Sequence, residues 1–311
     1  MDEQDDNTFQ EDWPEDHRSG VIAVVGRPNA GKSTLINRIL GQKIAIVTNK
    51  PQTTRKRQLG IYTRPDMQAL LVDTPGLHKP HNKLGDYMVS VAEDAIKDAD
   101  VILWVLDAST PPQEAEQQIA ERLRTIKGET PVVLALNKAD LLPNAPDLSA
   151  HHAVIEHTHS AAISALNGAG VSELLDHLTG YLPHGPRYYP ADQVSEVNMR
   201  FIAAEIIREA IIEKTEQEIP YAVAVEIEEY KERSADLTYV SAVIHVERDS
   251  QKGIIVGKGG AMIKAIGTRA RRELANVTGT KIYLDLHAKV LKDWRTNERF
   301  LKRVGYRMPR K

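Results

Sequence analysis

Residues 26–34, with the sequence GRPNAGKST, constrain the fold of this 311-residue chain more than any other stretch. A glycine, any four residues and then Gly-Lys-Ser form the pattern of a phosphate-binding loop. The apolar run at 21–25 predicts a buried strand before the loop, and residues 35–40 predict a helix after it. In that context the backbone N–H groups of the loop and the positive end of the helix can bind a polyphosphate. The stretch therefore predicts an α/β nucleotide-binding domain with a doubly wound, mostly parallel sheet.

A second polar box, DTPG at 73–76, directly follows another apolar run. It therefore lies at the carboxyl end of a predicted strand, where ligands bind in doubly wound sheets. Lys32 is expected to contact the β and γ phosphates, and Ser33 to coordinate Mg²⁺. Asp73 is placed to hold the same ion through a water molecule, and the Gly76 amide to sense the γ phosphate. Together the two boxes predict a site for a magnesium-bound nucleotide.

The third box, NKAD at 137–140, also follows an apolar run and predicts the identity of the base. The Asp140 carboxylate can accept hydrogen bonds from N1–H and from the 2-amino group of guanine. Adenine offers neither donor, so a desolvated and unpaired Asp140 would disfavour ATP. A fourth box, ISAL at 163–166, precedes a predicted helix at 171–181 and can place a backbone amide against the guanine O6. The third box therefore favours a GTP-binding protein over the alternative, a P-loop kinase or ATPase.

The segment KPQTTR at 50–55 lies between the first two boxes and is predicted to close on the nucleotide. Thr54 is favoured as the threonine that reaches Mg²⁺ and the γ phosphate, with Thr53 as the alternative. Leu77 follows the glycine of the second box, where Ras-type GTPases carry a glutamine. Because an apolar side chain cannot orient water, turnover should be slow. The attacking water must then be held by backbone, by another residue or by a bound partner.

The predicted pocket draws on all four boxes and on the closing segment. The residues expected to contact the nucleotide are Gly26, Arg27, Pro28, Asn29, Ala30, Gly31, Lys32, Ser33, Thr34, Asp73, Thr74, Pro75, Gly76, Asn137, Lys138, Asp140, Ser164, Ala165 and Leu166. The metal is assigned to Ser33, Thr54 and Asp73, and the catalytic roles to Lys32, Thr54, Gly76 and Asn29.

The C-terminal third predicts a second domain of different architecture. Apolar residues from 199 to 210 recur at intervals of three and four and predict a one-faced helix. Alternating runs at 221–227 and 240–246 predict two half-buried strands. The loop GKGG at 257–260 then precedes a basic helix and a third strand around 282–286. This order resembles a KH domain, whose GxxG loop clamps the backbone of about four single-stranded nucleotides. The residues expected to contact RNA are Ile254, Ile255, Val256, Gly257, Lys258, Gly259, Gly260, Lys264, Arg269 and Arg272.

Charge divides the chain in the same way. Residues 251–311 carry 16 Lys and Arg against 4 Asp and Glu, a net charge of +12, while the whole chain carries −3, which leaves −15 for residues 1–250. A basic end of this kind favours binding to a polyanion. The predicted division is an acidic, disordered extension at 1–18, a nucleotide domain at 19–182, a linker rich in Pro and Gly at 183–192, and an RNA-binding domain with a basic tail at 193–311.

The tail of the second domain is basic and carries an apolar pattern. Leu291, Trp294, Leu301 and Val304 are predicted to dock it onto that domain, the alternative being a solvated amphipathic helix.

Cysteine is absent, which excludes disulfides and thiolate metal sites. No apolar run approaches the ~20 residues of a spanning helix, so a soluble, cytoplasmic protein is expected. Nothing in the sequence indicates an obligate dimer.

The stretches GRPNAGKST, PQTTR, DTPGLHKP and NKAD resemble motifs of the Era GTPases, and residues 254–264 resemble the KH domain of that family. The likeness runs from residue 19 to residue 311. It implies a P-loop GTPase domain followed by an α+β KH domain of type II. It also implies a GTP-hydrolysing switch that binds the 3′ end of small-subunit (16S) ribosomal RNA and acts in assembly and maturation of the 30S subunit. From the same likeness, Mg²⁺ accompanies GTP or GDP, and Asn29 implies a K⁺ ion in the place of an arginine finger.

A second interpretation stays open at this point. In it the nucleotide domain is a membrane or cell-cycle signalling switch, and the second domain is only a basic docking module. The specific order of elements around the GKGG loop favours the first interpretation, as does the lack of a lipidation motif. The protein is accordingly expected to be a monomer whose association with the inner face of the cell membrane is weak and peripheral.

Overall fold

The first domain is built around a six-stranded sheet with the strand order β2-β3-β1-β4-β5-β6. The computed structural model describes residues 13–48, 50, 53–75, 82–143, 146–196 and 198–306. The strands are β1 (Arg18–Val25), β2 (Gln58–Thr63), β3 (Met67–Asp73), β4 (Val101–Asp107), β5 (Val132–Asn137) and β6 (His159–Ala162). The helices are α1 (Lys32–Leu40), α2 (Lys83–Lys97), α3 (Glu114–Ile126), α4 (Ser149–His152) and α5 (Val171–Tyr181). Apart from β2, which runs antiparallel to β3, the paired strands are parallel. The predicted α/β class is confirmed.

The central strands are apolar throughout because helices cover both faces of the sheet. In β1, Ile22 and Val24 pack in one core with residues of α1 and α5. Ala23 and Val25 pack in a second core with residues of α2 and α3. Since β1, β3, β4 and β5 are parallel, the residues that follow them lie at one edge of the sheet. That edge holds the first three boxes.

The first domain begins earlier than the boundary predicted at residue 19. Arg18 opens β1 and pairs with Met67, and His17 is buried with its Nδ1 2.9 Å from the Gly185 carbonyl oxygen. These two residues therefore do not belong to a disordered extension. The charge pattern missed them because strand pairing uses backbone groups and is insensitive to side-chain polarity. Residues 1–12 of the predicted extension lie outside the described residues.

The predicted linker at 183–192 is irregular but is held against the first domain. The Gln68 side chain, fully buried, accepts hydrogen bonds from the Tyr188 and Tyr189 amides at 2.7 and 3.0 Å. It also donates to the Tyr189 carbonyl at 2.8 Å. One side chain thus satisfies the backbone of an irregular segment and fixes the path of the chain into the second domain.

The second domain is a three-stranded sheet in the order β7-β8-β9, covered by helices. Its strands are β7 (Ala224–Ser234), β8 (Leu237–Val246) and β9 (Lys281–Val290), and its helices are α6 (Met199–Lys214), α7 (Ile219–Ala222), α8 (Asp249–Val256), α9 (Ala261–Thr278) and α10 (Glu298–Arg303). The predicted order of elements is confirmed. Only the start of the first strand differs, because Pro220 sits in the first turn of α7 and the strand begins after it. Among the described helices, none combines the length and apolarity that crossing a bilayer requires.

The basic tail packs between the two domains and not on the second alone. Trp294 is fully buried, donates its Nε1–H to the Ala222 carbonyl at 2.9 Å and shares an apolar cluster with Phe300 and Leu301. The other side of the cluster is α2 of the first domain. The residues that α2 contributes are Leu84, Tyr87, Met88 and Val91. The apolar pattern indicated that the tail packs against another surface but not which one. The prediction therefore included the contact with the second domain and missed the contact with α2.

Candidate functional site

The first, third and fourth boxes line one cavity of about 600 Å³ at the carboxyl edge of the large sheet. The predicted residues that line it are Pro28, Asn29, Gly31, Lys32, Ser33, Thr34, Thr54, Asn137, Lys138, Asp140, Ala165 and Leu166. The cavity also has a wall from the segment before Thr54, of which the sequence assigned only the part from Lys50 onward. The residues of that wall are Ile46, Val47, Thr48, Lys50 and Thr53. Gly76 and Leu77 lie outside the described residues.

The phosphate loop has the backbone that its glycines predict. Gly26 and Gly31 adopt φ angles of 148° and 105°, and a Cβ on either would collide with a neighbouring strand end. At Gly26 the obstacle is the Val105 carbonyl oxygen, and at Gly31 it is the Asn137 amide. Asn29 is also left-handed, with φ 64°. Left-handed backbone of this kind lets successive N–H groups point into a concave site, as phosphate binding requires.

The Lys32 side chain folds back under the phosphate loop. Its side chain is buried, and Nζ donates to the carbonyls of Gly26 and Arg27 at 2.9 and 3.1 Å. Burial lowers the pKa of Lys32, and the Asp73 carboxylate opposes that shift. The charges of a bound β and γ phosphate would raise the pKa of Lys32 again, because an opposite charge favours the ammonium form. A buried ammonium in this position therefore favours a polyphosphate ligand.

Three oxygen-bearing side chains converge beside Lys32. Ser33 Oγ lies 2.8 Å from Asp73 Oδ2, and Thr54 Oγ1 lies 3.2 Å from both of those oxygens. Asp73 is fully buried, burial raises its pKa, and its Oδ1 has no hydrogen-bond partner among the described residues. Hydroxyl and carboxylate oxygens are the ligands that Mg²⁺ prefers, and its charge would hold Asp73 in the ionised form. The residues present fit this ion.

The geometry distinguishes between the two threonines that the sequence left open. Thr53 Oγ1 lies 2.7 Å from Thr48 Oγ1 and donates to the Lys50 carbonyl at 2.6 Å, so it is engaged within its own loop. Thr54 is buried and reaches Ser33 and Asp73. The structure therefore brings Thr54, and not Thr53, to the candidate metal site.

Asn137 joins the phosphate loop to the fourth box. Its Nδ2 donates to the Ala30 carbonyl at 2.7 Å, and its Oδ1 accepts from the Ala165 amide at 2.9 Å. Asp140 follows in a 3-10 turn, Ala139–Leu141, and lies exposed on the cavity wall. The carboxylate that is predicted to recognise the base is thus carried by a loop whose root is fixed to the phosphate loop.

A charged network under the phosphate loop was missed by sequence reasoning. Arg27 pairs with Asp107 at 3.0 Å and with Glu116 at 2.5 Å, and Lys138 pairs with Asp107 at 2.6 Å. Burial alone would raise the pKa of Asp107, but hydrogen bonds from Lys138 and Ser109 lower it below its usual value. The available signal was that β4, like β3 and β5, ends an apolar run on a polar residue. The network connects the first box to the third.

Two predicted nucleotide contacts are structural in this geometry. The Thr74 hydroxyl is buried and donates to the Val24 carbonyl at 2.8 Å, which ties β3 to β1. Ser164 is buried and its Oγ accepts from the Asn167 amide at 3.3 Å. Both residues shape the loops that line the cavity.

The GKGG loop joins α8 to α9 with three glycines at positive φ. Gly257, Gly259 and Gly260 have φ angles of 72°, 59° and 80°, and a Cβ on Gly257 would lie 2.7 Å from Met262 Cβ. Lys258, at the exposed side of the turn, places a cation where a nucleic-acid backbone would approach. The predicted loop is therefore present, and its conformation requires glycine at position 257, where a Cβ would collide.

One of the predicted RNA contacts, Ile255, is corrected by the structure, and another, Arg269, is engaged in ion pairs. Ile255 is fully buried in the core of the second domain, whereas its neighbour Ile254 is 45 % exposed, because successive helical positions face different ways. Arg269 pairs with Glu213 at 2.9 Å and with Glu273 at 3.1 Å, so much of its charge is already neutralised. Lys264 and Arg272 are exposed on α9 and line a groove of about 990 Å³. Arg269 and Arg271 line the same groove, and Arg271 was not among the residues assigned to RNA.

A guanine-nucleotide pocket on a doubly wound sheet, joined to a domain with a GxxG turn, defines a GTPase fused to a KH domain. A family model described as a 50S ribosome-binding GTPase matches residues 21–138, and a KH domain model matches residues 218–295. A solved structure of Era in complex with MgGDPNP and nucleotides 1506–1542 of 16S ribosomal RNA is 36% identical, with a TM-score of 0.86, and covers 93% of this chain and 99% of that one. An Aquifex aeolicus Era variant bound to GDP and AlF4⁻ is also 36% identical over the same shares, with a TM-score of 0.84. The chain belongs to the Era family of GTPases.

Proposed function

We propose that this GTPase binds the 3′ end of 16S ribosomal RNA through its KH domain and acts in assembly and maturation of the 30S subunit. The observation that carries the proposal is the likeness to the Era complex with a GTP analogue and ribosomal RNA, because it extends over both domains and nearly the whole of each chain. The exposed GKGG loop and the basic groove on α9 support it. In this role the protein acts as a cytoplasmic monomer, with at most a weak peripheral contact with the membrane.

The chemistry assigned to the pocket follows from the side chains at its base. Bound Mg²⁺ would neutralise charge on the β and γ phosphates, and Ser33, Thr54 and Asp73 would hold it. Lys32 neutralises the same phosphates from beneath the loop. Asp140 selects guanine, and Asn137 keeps the base and phosphate loops in register. Positioning and electrostatics of this kind account for most of the catalysis in phosphoryl transfer.

RNA binding should depend on the GKGG loop and on the nucleotide state. Gly259→Asp adds a carboxylate where space is open around the glycine, so the fold should persist while repulsion lowers RNA affinity by roughly tenfold or more. The measurement is filter binding of a short single strand with the 16S 3′-terminal sequence, in the presence of GTP analogue or GDP. Gly279→Asp is the matched control, because this glycine also has positive φ and open surroundings but ends α9 at the far side.

The same experiment separates the two functional classes. Tighter binding in one nucleotide state, lost in Gly259→Asp and kept in Gly279→Asp, supports the RNA-binding switch. Unmeasurable affinity for this strand in both nucleotide states would instead favour a signalling switch whose second domain only docks on other surfaces.

Hydrolysis should be faster in potassium than in sodium. Asn29 lies in the phosphate loop at the cavity wall, where a monovalent ion could supply the positive charge that other GTPases take from an arginine. Turnover measured in KCl and in NaCl at equal ionic strength tests this, and Asn29→Ala should abolish the difference. Equal rates in the two salts for the unmodified chain would refute the assignment of K⁺.

A further inference from the structure

The described residues of the segment 43–56, named here the switch segment, are held by the second domain. Of the described residues, Lys43 pairs with Glu209 of α6 at 2.7 Å, and the Val47 amide donates to the same carboxylate at 3.0 Å. Lys50 donates to two backbone carbonyls at the carboxyl end of α6. The segment that contributes a threonine to the candidate metal site thus lies on a helix of the other domain.

Helix α6 buries three charged side chains, and two of them have partners in the switch segment. Glu205, Arg208 and Glu209 are 5 %, 1 % and 2 % exposed. Burying a charge is costly unless a partner compensates it. Glu209 is compensated by Lys43, and Arg208 donates to the Thr53 carbonyl. This face of α6 is therefore built to receive the switch segment.

Arg208 joins Glu205 to the backbone of the switch segment. Its guanidinium donates through Nε to Glu205 Oε1 at 3.0 Å, and through Nη2 to Glu205 Oε2 and to the Thr53 carbonyl oxygen. Burial alone would raise the pKa of Glu205, but Arg208 lowers it below its usual value, so the pair is charged. A guanidinium donates from three nitrogens in a rigid planar fork, so it can span a carboxylate and a separate carbonyl, whereas an ammonium offers its three donors from one nitrogen.

Arg55 anchors the chain on the other side of Thr54. Its guanidinium is buried in the second domain and donates to three backbone carbonyls between Pro220 and Val223, at 2.7 to 3.2 Å. Thr54 lies between this anchor and the Arg208 contact, with its Oγ1 3.2 Å from Asp73 Oδ2. An oxygen of the candidate metal site is thus fixed from both directions by the second domain.

We propose that Arg208, held by Glu205, is a positioning residue for Thr54, and that the second domain thereby promotes GTP binding and hydrolysis in cis. The inference deepens the proposed function and rests on it for the assignment of Thr54 to Mg²⁺ and the γ phosphate. Coupling between two sites is reciprocal. A γ phosphate that draws Thr54 inward therefore stabilises the docked position of α6, and displacement of α6 loosens the threonine.

The test compares Arg208→Lys with Arg200→Lys in the full-length chain. Lysine keeps the positive charge beside Glu205, but its single ammonium lacks the fork that also reaches the Thr53 carbonyl. Arg200 lies on the same helix and donates to two carbonyls of β7 at 3.1 and 2.9 Å, so its change leaves the switch segment untouched. The measurements are the affinities for GDP and for a non-hydrolysable GTP analogue, GTP turnover across a Mg²⁺ titration, and the temperature of unfolding.

For Arg208→Lys, affinity for the GTP analogue and turnover should both fall on the order of tenfold, within the usual range of coupling between sites. The Mg²⁺ concentration for half-maximal turnover should rise, while GDP affinity changes little, because GDP has no γ phosphate for Thr54 to contact. Arg200→Lys should match the unmodified chain. Equal losses for GDP and the analogue, or no loss for either, would overturn the proposal.

Glu205→Gln provides a second test if Arg208→Lys unfolds. Glutamine keeps the shape of the side chain but releases Arg208 from its charged partner, so the same selective loss of GTP analogue over GDP is expected. An unchanged ratio of the two affinities would count against the positioning role. None of these measurements uses RNA. Failure to bind the ribosomal strand would therefore refute the proposed RNA-binding role without affecting the outcome for Arg208 and Glu205.

Discussion

Asp140→Asn should lower the affinity for GTP by roughly two to three orders of magnitude, because it weakens two hydrogen bonds to a charged acceptor. The 2-amino group of guanine would then face an amide N–H₂ that cannot accept from it. Xanthine carries an oxygen at that carbon and can accept from the new amide. The same change should therefore raise affinity for xanthosine triphosphate. The pocket should then prefer xanthine over guanine, and not merely lose its preference.

The structure explains why Asp140→Asn should change recognition of the base and leave phosphate binding unaffected. Asp140 lies in a short turn on the cavity wall, after Asn137, whose bonds to Ala30 and Ala165 fix the loop. Replacing the carboxylate leaves those bonds intact, so phosphate binding should survive.

Competition titrations with GTP, xanthosine triphosphate and ATP measure this change of base selectivity. Asp147→Asn is the control, since that aspartate is exposed and accepts from the Ser149 amide at 2.9 Å outside the cavity. If the unmodified chain bound ATP as tightly as GTP, the assignment of Asp140 would fail.

Ser33→Ala should reduce Mg²⁺-dependent GTP hydrolysis by roughly 100-fold or more, a loss typical of removing one group that stabilises transition-state charge. The substitution removes an oxygen that lies 2.8 Å from Asp73 Oδ2, and it leaves the backbone N–H groups of the loop in place. Nucleotide affinity should fall in Mg²⁺ and change little in EDTA, so the titration in EDTA is an internal control. Equal losses with and without the metal would place Ser33 in phosphate binding only.

The pH dependence of the metal site should follow Asp73. Burial raises the pKa of this carboxyl above its usual value, and only the ionised form can hold a cation. Protons and Mg²⁺ therefore compete, and Mg²⁺ affinity should rise with pH until Asp73 is fully ionised. In Ser33→Ala the rise should persist because Asp73 remains, but it should move to higher pH, because the lost hydrogen bond from Ser33 lowers the pKa of Asp73.

Sequence reasoning located the loops of both domains because their chemistry needs particular backbones. Gly26, Gly31 and Gly257 adopt positive φ in places where a Cβ would collide, so the spacing of glycines carries the geometry with it. The carboxyl ends of strands were equally readable, since buried parallel strands are unbroken apolar runs followed by polar residues. Asp73 and Asn137 were found in this way.

Other features could not be read because they depend on contacts between distant segments. Thr53 and Thr54 are adjacent and chemically identical, and only their packing separates the one engaged with Lys50 from the one beside Asp73. Ile254 and Ile255 were both assigned to RNA, although one of the pair faces the core. The pairing of Arg27 with Asp107 joins the phosphate loop to the end of β4, which no local pattern records.

The sequence by itself determined the two folds, the guanine pocket and the GxxG turn, because each is specified by local spacing and backbone requirements. The tertiary structure decided how the two halves are connected: the tail packs on α2, and Arg55 and Arg208 fix the backbone on either side of Thr54. The physical reason is that a buried guanidinium must find acceptors somewhere, but its sequence neighbourhood does not say where. Only the folded chain shows that the contacts of Arg55 and Arg208 flank Thr54 at the candidate metal site.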